Sequence, residues 1–437
     1  MKLFQQMLVA GASLSLLAPI AAQASDVVNL EEMNSYGRSQ KKSSKLDSNT
    51  FINEVSEDIA TLNGRIDGLE SKQNDFEAGA FSSTTSMDGK AIFWIGAIEG
   101  INDVDDNEDG LNTDEPSDSV QTGYTYTMNL NTSFTGDDNL YVRLKAGENG
   151  GAWSSKPAGY HIHTKDTNDE FRVDKIWYTF PIGDNITAFA GPRIENYYMY
   201  VTPSIYKPGA LKAFKLGGNS NFGASTDVGF GLKYEADNGF AIASNVVDKN
   251  ADAANSGFFQ DDSVSKWDTQ IAYTQPRYHL SLTVSNAQNW TSQLYNATAL
   301  GENTATDSMG YAARAYWMPE ETGTAMPEIS VGYDTKVWDD AAAGTVDEAD
   351  SWMVGLTWKD IRQPDDRIGI AFTQPLKATS IAGGGDTNEV DPLLWEVYYS
   401  WKQNDSVTIT PAIFGGSDSF QADDDTFGAV VTTAFKF

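Results

Sequence analysis

The side chains in this sequence that could act on a ligand are mostly basic, and they fall at positions alternating with apolar ones. If the apolar positions of each alternating segment face lipid, the other positions face an enclosed lumen. The basic residues on that second register, with one at the start of a long loop, are Lys90, Arg143, Lys145, Lys175, Arg193, Lys233, Arg277, Arg314, Lys336, Lys359, Lys402 and Lys436. Acids on the same register, such as Glu235, Asp334 and Glu396, are few. Because rings of charge select ions by sign, the pattern predicts an anion-favouring lumen; the alternative is a wide pore with solvated wall charges.

The longest polar segment, 194–224, carries a second basic cluster. Its members are Lys207, Lys212 and Lys215, and they stand beside Tyr206 and Phe214. A segment folded into the lumen would narrow it with basic groups, whereas a segment folded outward would be only a surface loop. We expect inward folding, because the cluster contrasts with the acidic loops on either side.

The first long polar segment contains a partial calcium-binding pattern. Asp105, Asn107 and Asp109 place oxygen ligands at alternate positions, as calcium loops do. Position twelve of that pattern is Pro116 and not Glu, so the full EF-hand motif fails. A solvated acidic loop is therefore the stronger interpretation, with loosely bound Ca²⁺ as the alternative. No other cofactor is expected, and the pair His161 and His163 is a weak metal signal.

The sequence offers no set of catalytic residues. It has 3 His and no Cys, and neither a Gly-x-Ser-x-Gly elbow nor a phosphate loop occurs. We therefore predict that the protein is not an enzyme. A barrel hydrolase is the alternative, and a Ser, a His and an acid clustered at one rim would reveal it.

Charge and hydropathy exclude two classes of protein. The formal net charge is −31 at pH 7, which is unsuited to a nucleic-acid partner because a phosphate backbone needs a basic face. The mean hydropathy is −0.39, and no long apolar run follows the N-terminus. A spanning helix needs about 20 apolar residues, so a helical membrane protein is excluded, whereas a barrel strand needs an apolar residue only at every second position.

Three segments precede the alternating region. Residues 1–24 have a basic start, an apolar run and a small-x-small site, which predict a signal peptide cleaved before Ser25. Residues 25–50 read as a polar linker, and residues 51–78 as a periplasmic coiled coil. Its predicted seam, spaced alternately by three and four residues, is Ile52, Val55, Ile59, Leu62, Ile66, Leu69, Gln73 and Phe76. One amphipathic helix packed on a domain is the alternative.

From residue 82 to residue 437 the apolar period becomes 2, which predicts an all-β fold. About sixteen alternating segments follow one another, and short turns alternate with long polar loops, as in outer-membrane barrels. The last segment ends on Phe435 and Phe437, the terminal pattern by which the barrel assembly machinery recognises its substrates. The prediction is a closed antiparallel β-barrel of about sixteen strands in outer-membrane lipid.

A barrel of this kind with a polar lumen predicts a porin that passes ions and small hydrophilic solutes by passive diffusion. Porin barrels commonly associate in threes, which favours a homotrimer, although Ile and Leu in the seam favour two-stranded coils. The alternative function is a structural outer-membrane tether that acts through the coiled coil.

Several short motifs resemble one known family. They are Asn63-Gly64-Arg65-Ile66-Asp67-Gly68-Leu69-Glu70, Phe180-Pro181-Ile182-Gly183, Gly191-Pro192-Arg193, Thr410-Pro411-Ala412-Ile413-Phe414 and the ending Thr432-Thr433-Ala434-Phe435-Lys436-Phe437. Their order resembles the cyanobacterial members of the carbohydrate-selective (OprB-type) porins, also called iron uptake porins. The resemblance implies an outer-membrane channel for sugars, inorganic nutrients or iron. Relatives usually carry an S-layer-homology module before the coiled coil, and residues 25–50 are too short for it, which leaves peptidoglycan binding in doubt.

Overall fold

The computed structural model describes residues 84–99, 120–148, 153, 161–218, 226–251, 257–290, 307–385, 387, 392–417 and 425–437. The predicted signal peptide, the linker and the coiled-coil seam lie outside the described residues. So do Asp105, Asn107 and Asp109 of the calcium-like segment. Those predictions therefore stay predictions.

The described chain forms sixteen strands in one closed barrel, in which each strand pairs antiparallel with its chain neighbours and β1 pairs with β16. The strands are β1 Thr85–Glu99, β2 Gln121–Thr132, β3 Asn139–Glu148, β4 Arg172–Ile182, β5 Ile186–Glu195, β6 Thr226–Glu235, β7 Phe240–Asp248, β8 Ser265–Gln275, β9 Tyr278–Gln288, β10 Ser308–Trp317, β11 Glu328–Trp338, β12 Val346–Lys359, β13 Arg367–Ile381, β14 Leu393–Lys402, β15 Val407–Ser417 and β16 Thr426–Lys436. Two short 3-10 helices, Asn196–Met199 and Lys212–Gly217, lie between β5 and β6. The predicted strand number and barrel closure are confirmed.

No helix among the described residues is long and apolar enough to cross a membrane.

Side chains alternate between the outside of the barrel and its lumen. On β1, Phe93 is 52% exposed and points outward, whereas its neighbour Trp94 is 2% exposed and points inward. Directly opposed residues of paired strands share a face, so the inward register passes from Trp94 to Thr432 on β16. Phe435 and Phe437 are exposed on the outward face, in the apolar register that the sequence predicts.

Two of the predicted long loops are shorter than the sequence indicates. The polar character of residues 339–349 and 376–390 predicts two of these loops, but β12 already begins at Val346 and β13 continues to Ile381. These strand extensions bury Val346 and Leu376 in a cluster with Trp338. Register shifts at the paired ends of β12 and β13 break the strict alternation, which is why the sequence pattern misses them.

Aspartate carboxylates hold two of the short turns. Asp138 accepts hydrogen bonds from the backbone N–H groups of Phe134 and Thr135 at 2.9 and 2.8 Å, and from the hydroxyl of Tyr178 on β4 at 2.6 Å. Asp366 repeats this arrangement in the turn between β12 and β13. Each carboxylate joins its own hairpin to the next strand.

Candidate functional site: the lumen and the loop that crosses it

Residues 196–218, which follow β5, lie inside the barrel. At the start of this segment, the backbone N–H of Val201 donates to the side-chain oxygen of Gln270 on β8 at 2.9 Å. Further along, the N–H of Ile205 donates to the hydroxyl of Ser330 on β11 at 3.3 Å. Because Gln270 and Ser330 belong to the inward register of well-separated strands, residues 196–218 cross the lumen, and we call them the crossing loop.

A buried carboxylate anchors the middle of the crossing loop. Glu396 on β14 is 0% exposed. Its two oxygens accept the backbone N–H groups of Gly209, Ala210 and Leu211 at 3.0, 3.0 and 2.8 Å, and the hydroxyl of Tyr206 at 2.8 Å. Backbone donors converge on the charge, so burial of the carboxylate is compensated by hydrogen bonds.

A buried ion pair anchors the end of the crossing loop. The guanidinium of Arg314 on β10 pairs with Asp334 on β11 at 2.8 Å. It also donates to the carbonyl oxygens of Leu216 and Gly218, at 3.0 Å each. The backbone runs very close to β11 here, since a Cβ added to Gly332 would lie 1.7 Å from the carbonyl oxygen of residue 217. Only a glycine leaves room for this approach.

The crossing loop divides the lumen wall into a covered part and an accessible part. Inward side chains of β7 to β11, such as Asn245, Gln270 and Thr283, are buried. Inward side chains near the short-turn end of β1 and β16, such as Lys90 and Lys436, remain exposed. Inward residues further from these turns, such as Trp94 and Tyr398, are buried. The solvent-accessible part of the lumen therefore lies near the short-turn ends of β1, β13 and β16, and along β3.

Basic groups dominate that accessible part. Five of them form no ion pair with any residue that the structure describes, and we call them the basic face: Lys90, Lys145, Lys207, Arg367 and Lys436. Arg367 is absent from the set predicted from sequence. It alternates with Ile368 and Ile370, but it directly follows the turn 360–366. The sequence pattern therefore does not show that Arg367 already belongs to the strand and faces inward.

Other predicted wall residues face inward but are neutralised by acids. Arg143 pairs with Asp174 at 2.7 Å and with Glu195 at 2.8 Å. Lys359 pairs with Glu328 at 2.6 Å, and Lys233 pairs with Glu235 at 2.8 Å. Sequence reasoning missed Asp174 and Glu195, because bulges in β4 and β5 interrupt the alternation beside them.

Six residues that the sequence predicts to line the pore lie in other surroundings in the structure. Arg314, Lys175 and Lys336 point inward but are buried, so they do not line the accessible lumen. Arg277 lies in the turn between β8 and β9, where it pairs with Glu320 at 3.2 Å.

The last two of these residues lie near the ends of strands. Lys402 pairs with Asp365 and Asp405, both in short turns, at 2.6 and 3.1 Å. Arg193 is exposed in a bulge opposite Ile176, whose register faces outward. Sequence alternation identifies the face of a residue on a regular strand, but it fails at bulges and turns.

The three lysines predicted for the crossing loop point to different surroundings. Lys207 is exposed, and partial desolvation, followed by the positive charges of Arg367, Lys359 and Lys436, lowers its pKa. Lys215 lies near the first 3-10 helix of the crossing loop, where its ammonium donates to the hydroxyl of Tyr197 at 2.6 Å. Burial lowers the pKa of Lys215 to about 8. Lys212 is half-buried in the second 3-10 helix.

The histidines do not form a metal or catalytic site. His161 packs against the rings of Trp94 and Trp153, and burial lowers its pKa to about 3, so it is neutral at pH 7. His279 bonds the hydroxyl of Thr274 at 2.7 Å and stacks on Tyr316. Within the described ranges, no group of three or more His, Cys, Asp or Glu residues is placed to hold a metal ion.

Comparisons with known proteins agree with this architecture. Residues 44–414 match the family described as carbohydrate-selective porin, OprB family. An uncharacterized protein of Nostoc sp. is 26% identical over 95% of this chain and 74% of its own length, and one of Synechocystis sp. is 22% identical over 82% and 69%. Among solved structures, Pseudomonas putida OprB is similar with a TM-score of 0.55 and 12% identity, over 81% of this chain and 94% of its own.

Proposed function

This chain belongs to the OprB family of carbohydrate-selective porins, and from that premise we propose that its lumen passes small solutes with a preference for anions. Membership places the protein in the outer membrane as a porin for small solutes, and not among the enzymes. The sign of the selectivity is the new element. The proposed channel passes inorganic anions and anionic nutrients in addition to neutral sugars.

The observation that carries this proposal is the basic face. An ion pair cancels most of the field of a charge, whereas an unpaired accessible lysine attracts mobile anions from solution. Arg143, Lys233 and Lys359 each have a carboxylate within 2.8 Å, so they contribute little. Lys90 and Lys436 have no such partner within the described chain, and both are exposed to the lumen.

Iron passage, which the resemblance to iron uptake porins implies, finds no support in this wall. A ferric or ferrous cation would meet the same unpaired lysines and be repelled. Iron bound in an anionic chelate would not be repelled in this way. Carbohydrate passage is compatible with the hydroxyl groups beside the basic face, such as Thr408 and Thr410 on β15.

We also propose the assembly of the molecule. The outward Phe435 and Phe437 suit contact with lipid and recognition by the barrel assembly machinery. Trimerisation remains a proposal that rests on the common association of porin barrels in threes. The periplasmic coiled coil remains a proposal that rests on residues 51–78, outside the described chain. The structural tether remains an alternative, with no described feature that favours it, whereas membership of a porin family argues against the barrel hydrolase.

Reversal potentials in planar bilayers test the selectivity. With the purified protein in a tenfold KCl gradient, we expect chloride to be more permeant than potassium. The triple variant Lys90→Gln, Lys207→Gln, Lys436→Gln should reduce the chloride preference, because it removes three unpaired charges. Lys402→Gln is the matched control, since Lys402 is already paired with two carboxylates. A potassium-selective wild-type channel would contradict the proposal.

A further inference from the structure

The first half of the crossing loop, residues 196–204, covers a wall of small and polar side chains on β7 to β10. Ala243, Thr283 and Ala312 lie in one inward row across these strands, and each is at most 1% exposed. Gln270 belongs to the same row, and its side-chain amide holds the backbone N–H and carbonyl of Val201 at 2.9 and 3.2 Å. Because the side chain of Gln270 is longer than those of its neighbours, it holds the loop backbone away from the wall beside Thr283.

Several buried polar atoms on this covered wall lack a partner in the described part of the chain. Ser281 and Thr283 on β9 are 3% and 0% exposed, and no described residue bonds either hydroxyl. Asp268 on β8 is 0% exposed; its Oδ2 accepts the amide of Asn196 at 3.0 Å and lies 3.5 Å from the ammonium of Lys266. Asp268 Oδ1 and Asn196 Oδ1 accept no hydrogen bond from the residues that the structure describes. Such buried atoms are costly unless water bonds them.

The unbonded atoms lie at separations that single water molecules bridge. Thr283 is two positions from Ser281 and from Ser285 on β9, so neighbouring side chains on this face are about 6.8 Å apart. Ser285 is directly opposite Asp268, on strands that lie about 4.8 Å apart. A water molecule with two hydrogen bonds of about 2.8 Å spans about 5.6 Å, so hydroxyls that lean toward each other fall within its reach. The polar groups therefore form a continuous row from Ser281 through Asp268 to Asn196.

The second half of the crossing loop meets the barrel through apolar contact. Tyr206, Leu211 and Phe214 pack in one buried cluster with Leu394 and Phe414 of β14 and β15. The Glu396 hydrogen bonds at residues 209–211 fix the same half. The two halves of the loop are thus attached to the wall by different means, one over small polar side chains and the other by packing.

We infer that a row of bound water molecules lies between residues 196–204 and the wall of β8 and β9. Its ligands are the hydroxyls of Ser281, Thr283 and Ser285 and the side-chain oxygens of Asp268 and Asn196. The bound species is neutral water and not a metal cation, because the ammonium of Lys266 already balances the charge of Asp268. Water also accepts bonds from hydroxyls while it donates to carboxylate and amide oxygens.

This row of water gives the crossing loop one adaptable half. Hydrogen bonds through water are remade when the partners shift, whereas the apolar cluster around Phe214 loses contacts if it moves. Residues 196–204 are therefore the part of the loop that yields when a solute passes, and residues 206–214 stay fixed. The presence of the water is independent of the sign of the ion selectivity.

A crystal structure of the full-length protein, at a resolution that shows ordered water, tests the row directly. We expect water within hydrogen-bond distance of the Thr283 hydroxyl and of Asp268 Oδ1. Electron density without water at either atom would overturn the inference.

Thermal stability of Thr283→Val provides a second test, because valine has the shape of threonine but carries no hydroxyl. In a hydrated site the substitution removes a partner of bound water, so we expect the midpoint of heat-induced unfolding to fall by about 2 °C. In a dry site the same substitution removes an unbonded hydroxyl and raises the midpoint. A midpoint equal to or above that of wild type would therefore overturn the inference.

Thr373→Val is the matched control for that measurement. Thr373 on β13 is also buried and faces inward, but its hydroxyl donates to the carbonyl of Trp352 at 2.7 Å. Its loss should lower the midpoint whether or not water is bound near Thr283. The control thus calibrates the loss of one satisfied buried hydroxyl in this barrel.

Hydrogen–deuterium exchange followed by mass spectrometry tests the adaptable half. We expect backbone amides in residues 196–204 to exchange at least about tenfold faster than those in residues 206–214, since local opening is easier where few apolar contacts hold the chain. Equal or slower exchange in residues 196–204 would contradict the division of the loop into a yielding half and a fixed half.

Discussion

A basic side chain inside this barrel has one of two environments, and the environment decides its role. Arg314 is buried between Asp334 and the carbonyl groups of the crossing loop, so its charge stabilises the position of that loop. Lys90 faces open water with no acid paired to it in the described chain, so its charge is available to a solute. Both residues are basic and both lie in the inward register of a strand. The difference comes from neighbours far away in sequence, which an alternation pattern does not encode.

At the same scale, Asp138 makes the stability of one turn depend on pH. The hydroxyl of Tyr178 and the surrounding turn donors lower its pKa from the usual 3.8. A lowered folded-state pKa means that the carboxylate stabilises the fold fully above the unfolded pKa, and that this contribution is lost as pH falls below about 3.8. We expect Asp138→Asn to lower the melting temperature at pH 7, and the difference from wild type to shrink below about pH 3.8.

Thermal unfolding followed by circular dichroism at several pH values measures this effect. Asp137→Asn is the matched control, because Asp137 is the exposed neighbour in the same turn. A difference between wild type and Asp138→Asn that stays constant down to acid pH would show that the carboxylate charge does not hold the turn.

At the scale of elements, the strands follow from local pattern and the crossing loop does not. A period of 2 is a property of each segment alone, so sixteen strands and their outward faces are predictable. The prediction of which residues face the lumen fails where a bulge shifts the register, as at Asp174, or where a strand borders a turn, as at Arg367. Glu396 is recognisable from sequence as an inward acid. Its role as the anchor of residues 209–211 requires knowing where a loop nearly 190 positions earlier in the chain comes to rest.

The crossing loop gives a prediction about channel behaviour. Glu396→Gln replaces one carboxylate oxygen with an N–H₂ group, which would face backbone N–H groups that also donate. Loss of these buried bonds should destabilise the loop by about 1–3 kcal/mol. We expect noisier single-channel currents of larger mean conductance, together with faster proteolysis within residues 196–218.

Tyr206→Phe provides a graded comparison for this variant. It removes one donor to Glu396 and keeps the three backbone bonds, so its effect should be smaller in the same direction. Equal single-channel records for wild type and Glu396→Gln would mean that other contacts, such as those of Arg314, suffice to hold the loop.

At the scale of the whole molecule, the net charge of the chain and the charge of the basic face have opposite signs. The chain carries −31, yet the accessible lumen presents lysines with no ion pair among the described residues. Net charge, applied to the pore, therefore predicts the opposite of the selectivity proposed from the basic face. The range over which each charge acts decides which one a permeating ion experiences, and ionic strength sets that range.

This opposition yields a prediction about salt. The Debye length is ~10 Å at 0.1 M and ~3 Å at 1 M salt, so the field of the basic face reaches across an open lumen only in dilute solution. The chloride-to-potassium permeability ratio, measured from reversal potentials at a fixed tenfold gradient, should fall as the mean concentration rises from about 0.1 M to about 1 M. The triple variant Lys90→Gln, Lys207→Gln, Lys436→Gln should show a weaker dependence, because it lacks the charges that salt screens. A wild-type ratio that does not change with salt would assign the selectivity to something other than these charges, since an accessible charge cannot act across water independently of screening.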